Sequence, residues 1–136
     1  MKFMIESYAT QQDYDGMAGT STDTPAWSQD DFAAMVEFMT TLNAELEESG
    51  ELVETRGLAA PVHTRRVGPG TLVTDAPYAA TEEVLAGYWI VECDSFDRAT
   101  EIAIRLGGCP GPPHVLETAY ADIRPIDEGP SPGPAL

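Results

Sequence analysis

The chain is poor in positive charge. Its 136 residues include one Lys and six Arg against 23 Asp plus Glu, a formal net charge of −16 at pH 7. Such an excess repels phosphate backbones and anionic lipid at long range, so direct nucleic-acid binding and a membrane-surface role are disfavoured. Cysteine is scarce: Cys93 and Cys109 allow at most one bridge, and neither sits in a CxxC or His-flanked cluster of the kind that holds zinc. With only two His besides, His63 and His114, no metal and no cofactor is expected, and a reduced cytoplasmic protein is the default. Apolar runs of about 18 residues, the length that crosses a membrane, are missing, and MKFMIESYAT is too briefly apolar for a signal peptide. Also lacking are a Gly-rich phosphate loop, a Ser nucleophile elbow and a dinucleotide fingerprint; the GPG and CPGPP segments are turn chemistry.

What remains is enough for one folded domain. The chain is 43% hydrophobic, too apolar for compositional disorder, and its length falls in the usual domain range of about 100–150 residues. Met1 to Tyr8, with Phe3 and Ile5 alternating, predicts a first strand, and the polar stretch from Ala9 to Pro25 reads as a long loop. Ser28 can cap a helix in which Asp31 reaches back and Trp27 staples onto Phe32. Phe32, Met35, Val36, Met39, Leu42 and Leu46 then form its apolar stripe, read as core with a cofactor-lining role as the lesser alternative, and Gly50 ends it.

Glu51 to Leu58 predicts a second strand, and Val62 to Thr74 a hairpin-like segment turning at Gly68-Pro69-Gly70. Leu85 to Cys93, rich in aromatic and β-branched residues, is the most strand-like run. Asp94 or Ser95 can cap a second helix with Phe96, Ala99, Ile102, Ala103 and Leu106 on one face, stopped by Gly107-Gly108. His114 to Arg124 reads as a last strand, with His114 at its start. Residues 1–126 would then be one domain and 127–136, rich in Pro and Gly, a frayed tail.

This order, β-α-β, an inserted hairpin and β-α-β, specifies an α+β ferredoxin-like domain with an antiparallel sheet and both helices on one face. The other face needs a cover, for which a sheet-on-sheet homodimer, a barrel-like pair, is the economical expectation. The acidity is concentrated early: residues 1–54 hold twelve acidic residues and only Lys2, whereas residues 55–136 hold eleven acidic residues and six Arg. A solvated helix face plus loops accounts for it.

The segments MKFMIESY, LNAELEESGELVE, GLAAP, TLVTDAPYAATEEVLAGYWIVECDSFDRA and ADIRPI together resemble the YCII-related family, in its branch named for an Asp-Gly-Pro-Phe motif. The likeness covers nearly all of residues 1–126 and implies the dimeric α+β barrel form of the ferredoxin-like fold. The motif appears here as Asp75-Ala76-Pro77-Tyr78, and a family-typical Glu and Lys are replaced by Ala80 and Glu82. Ala76 suits the extended backbone favoured before Pro77 but would be strained at positive φ. The resemblance also implies acid–base chemistry by Asp and His in some members, and a link of many members to extracytoplasmic-function sigma factors.

Candidate site residues cluster around this turn. Asp75 either starts the turn by accepting backbone N–H bonds, the weightier reading, or serves as base or anchor for a polar ligand. Tyr78 is its natural phenolic partner or else a core or interface aromatic. His63, on a segment expected to face Asp75, could serve proton transfer in a His–Asp pair, with a plain surface His as the alternative. Arg65 or Arg66 could bind a ligand carboxylate or pair internally with an acid. Tyr88 and Trp89 must point to opposite sheet faces, one of them toward a cavity or dimer. Two functions follow: a small-molecule-binding protein with its cavity near the Asp75 turn, between sheet and inserted hairpin, an isomerase- or lyase-like acid–base enzyme in its sharpest form, or a non-catalytic regulatory module partnered with a sigma factor.

Overall fold

The computed structural model describes residues 1–21 and 23–129. The greater part of the tail expected over 127–136 therefore lies outside the described residues. Four strands, β1 (Lys2–Ala9), β2 (Leu52–Gly57), β5 (Val84–Glu92) and β6 (Ala121–Pro125), form an antiparallel sheet in the order β2-β5-β1-β6. Counting these as first to fourth, the order is 4-1-3-2 from one edge, the ferredoxin-like arrangement that the element order specified. Two three-residue strands, β3 (Arg65–Val67) and β4 (Val73–Asp75), pair as a separate hairpin.

The two long helices begin where the sequence provides caps. In α2 (Gln29–Glu48), Ser28 and Asp31 form a capping box, and the Trp27 and Phe32 rings lie 5.2 Å apart as the staple. The Ser95 hydroxyl accepts the Arg98 N–H at 3.1 Å to start α3 (Phe96–Leu106). Alternation in β1 sends Phe3, Ile5 and Ser7 to the helix side, opposite Val91, Trp89 and Gly87 of β5. Phe3, Ile5 and Val91 are fully buried there beneath Leu42, Leu46, Ala99 and Ile102. Each large side chain so buried contributes about 1.5–3 kcal/mol.

Four expectations need correction. The Ala9–Pro25 stretch is not a continuous loop: it holds α1 (Gln11–Ala18), because Thr10 and Asp13 make a second capping box and Gly19, at φ +75°, closes the helix. The last strand does not begin at His114. Pro112 and Pro113 start a short helix, α4 (Pro113–Leu116), that contains His114, and pairing with β1 resumes only at Ala121. Val36 belongs to the apolar stripe of α2 by spacing but is 57% exposed, while Phe38 packs against the core. The segment opposite Asp75 in the hairpin is Arg65; His63 lies before it, in a 3₁₀ turn over Pro61–His63. Among the described residues no helix is long and apolar enough to cross a membrane.

Candidate functional site

The hairpin brings together some of the residues singled out by type. Arg65 and Asp75 are cross-strand partners, and the guanidinium Nε donates to the carboxylate at 2.8 Å. Arg66 lies 5.3 Å from the centre of the Tyr78 ring, a cation–π contact. Among the described residues no hydrogen bond joins Asp75 to His63 or Tyr78. Ala76 sits at φ +46° despite the following proline, held there by its N–H donating to the Thr64 carbonyl at 2.8 Å. This is left-handed backbone that a Cβ disfavours. A hollow of about 250 Å³ beside the turn is lined by Pro61, Thr64, Tyr78 and Val84, and Asp75 does not reach it.

Tyr88 and Trp89 point to opposite faces of β5. On the open face the Tyr88 hydroxyl donates to Glu54 at 3.0 Å. On the helix face the Trp89 indole N–H donates to the Asn43 side-chain oxygen at 3.1 Å. That bond places the indole against one wall of a pocket of about 380 Å³ between α1, α2 and the end of the sheet.

The pocket arises from a row of small residues. Ser7, Gly87 and Gly57 are neighbours across β1, β5 and β2, so the sheet has almost no side-chain bulk at this level. Above the row, Met35, Met39 and Asn43 recur every fourth residue on one stripe of α2, and Tyr14 and Met17 of α1 close the side. The α1 helix is tied down at several points. The Tyr14 hydroxyl donates to the Leu58 carbonyl at 2.8 Å, Gln11 Oε1 accepts the Val62 N–H at 2.9 Å, and the Gln12 N–H donates to Ala80 at 3.2 Å. Burial pushes the Tyr14 phenol above its ordinary value, so it remains a neutral donor.

The sequence reading reached Trp89 and touched Met35 and Met39 only as a cofactor-lining alternative; it missed Tyr14, Met17 and Asn43. Two signals were available: the Met35-Met39-Asn43 spacing and a glycine in the middle of the most strand-like run. The α1 residues were hidden by the loop expectation. Among the described residues no three His, Cys, Asp or Glu groups gather so as to hold a metal ion.

Comparison with known proteins adds a family. The family model of the YCII-related domain matches residues 1–107. An uncharacterised protein of Rhizobium meliloti (strain 1021) is 29% identical over 106 residues, which cover 76% of this chain and 82% of that protein.

Proposed function

The chain belongs to the YCII-related family, and from that premise we propose that it is a small-molecule-binding protein whose site is the methionine-lined pocket. The observation that carries this reading is the Ser7-Gly87-Gly57 row, which leaves a hollow beneath Met35 and Met39 where the rest of the layer is filled by Phe3, Ile5 and Val91. Its volume of about 380 Å³ falls within the range of ligand sites, about 300–1,000 Å³. Unbranched thioethers adapt to a guest's outline and attract aromatic rings. The Asn43 oxygen is taken by Trp89, which leaves the amide N–H groups for a polar end of the guest. A largely apolar, flat molecule with one acceptor group fits these terms.

The sharper enzymatic form, acid–base chemistry by Asp75 with His63 or Tyr78, draws less support, since Asp75 is paired with Arg65 in open water. Pairing with a second copy is supported by the open sheet face, where Met4, Tyr88 and Ile90 are half-buried and, among the described residues, no helix layer covers them. The regulatory alternative, with a sigma factor as partner, rests on the exposed acids Glu37, Glu47 and Glu48 of α2, and it requires salt-sensitive binding.

The pocket is tested by titrating indole into protein carrying ¹³C-methyl methionine. Signals of Met17, Met35 and Met39 shift and those of Met1 and Met4 stay. A Cβ at Gly57 meets no heavy atom of the described residues within 4 Å, so Gly57→Leu can fill the pocket and abolish the shifts. Shifts confined to Met1 and Met4, or none with a panel of apolar fragments, would sink the reading.

A further inference from the structure

The α1 helix separates two hollows, and Ala9, Asp13 and Met17 line both. The second, of about 400 Å³, counts Tyr8, Trp27 and Tyr120 among its lining residues together with the acids Asp13 and Glu83. Among the described residues no Lys, Arg or His lines it. We propose that this aromatic cavity binds a small organic cation of the alkylammonium class. The proposal does not rest on the methionine-pocket reading.

The aromatic walls carry the argument. Tyr8 and Tyr120 stack with ring centres 5.6 Å apart and planes at 22°, which gathers two π systems at one place while each ring covers part of one face of the other. Both hydroxyls donate to carboxylates, Tyr8 to Glu6 and Tyr120 to Glu83 at 2.5 Å. A phenol that donates to an anion gains electron density on its ring, which deepens the negative potential over the π face that attracts a cation. Glu83 and Asp13 add charge of the same selectivity. An anion entering here would meet those carboxylates with no compensating side chain, and a neutral guest would gain only contact. The net charge of −16 raises the local concentration of cations around the whole molecule. A hollow of about 400 Å³ open on one side suits a free small molecule.

The test compares choline with its neutral isostere 3,3-dimethylbutan-1-ol by calorimetric and NMR titration of the full chain at low salt. Choline binds at least about tenfold tighter than the alcohol, as cation–π attraction in a partly desolvated site requires. Tyr120→Leu and Glu83→Gln each weaken choline at least about fivefold, while Tyr120→Phe, which keeps the ring, stays within about threefold of the parent. Tyr120 is 52% exposed, so these variants fold, which circular dichroism checks. Gly57→Leu, across α1 in the other hollow, leaves choline binding unchanged. Equal affinity for the two probes, no choline binding up to about 10 mM, or loss of binding in Gly57→Leu overturns the proposal. Co-sedimentation with phosphatidylcholine vesicles in place of free choline binding would move the headgroup chemistry to a membrane surface and overturn the free-ligand assignment.

Discussion

Arg65 and Asp75 in the hairpin meet at 2.8 Å with 69% and 73% of their side chains open to water, whereas Arg98 and Glu51 beside the core meet at 2.7 Å with 35% and 15% open. The chemistry is the same and the surroundings are not. Water and salt screen the first pair, so it stabilises little. In the second, Glu51 accepts from Arg98 through both carboxylate oxygens, and that bonding holds its carboxyl below the ordinary carboxylate value. The contrast extends to whole regions. The hairpin and the turns flanking it carry most of the residues that look chemical, yet Val67, Leu72 and Val73 around them are exposed as well. The sheet end under α2 is built of glycine, serine and methionine and leaves a hollow between sheet and helices. Residue type draws attention to a site, but enclosure is what lets a site bind.

The widest gap between the regions is in packing. Phe3→Ala, at a fully buried position, is expected to cost about 3–5 kcal/mol in urea unfolding. Val67→Ala, at a position 70% exposed, stays within about 0.5 kcal/mol. Similar costs for both would erase the distinction between layer and hairpin.

The ion pairs give the next largest effect. Glu51→Gln loses about 1–2 kcal/mol at neutral pH, because a charge-assisted bidentate pair becomes a neutral contact. Glu51 has a lowered folded pKa, so its contribution is fully present above the ordinary carboxylate value and is lost as pH falls through the folded one. Stability measured by urea titration from pH 6 downward therefore falls less steeply in Glu51→Gln than in the parent. Parallel acid limbs would show that the pair contributes no more than its hairpin counterpart.

The smallest effect runs the other way. Ala76 pays a left-handed conformation at φ +46°, so Ala76→Gly is expected to raise stability by about 0.5–1 kcal/mol. A loss of thermal stability in this variant would mean that the hairpin turn is not strained.

Much of the fold was legible because it is written in local chemistry. The capping box of Ser28 and Asp31, the β1 alternation and the aromatic run of β5 each need only a few neighbouring residues to act. The same local code was present at Thr10 and Asp13, but the surrounding Gly- and Thr-rich composition masked it, and with it went Tyr14 and Met17. The candidate site was far less legible. Ser7, Gly57 and Gly87 are separated by tens of residues, the glycines have no side chain to mark them and nothing local sets Ser7 apart; they become a row only when β1, β5 and β2 pair.

By itself the sequence determined the order and type of most elements, the ferredoxin-like class, the scarcity of positive charge and the family resemblance. These follow from periodicity, capping and composition, which are properties of neighbouring residues or of the chain as a whole. Only the tertiary structure decided which charges are screened and which are sheltered, that Ala76 adopts positive φ, and that small residues on three strands leave a pocket under the methionines of α2. Those outcomes depend on long-range pairing and on what is excluded from water, and neither is fixed until the strands and helices have closed over one another.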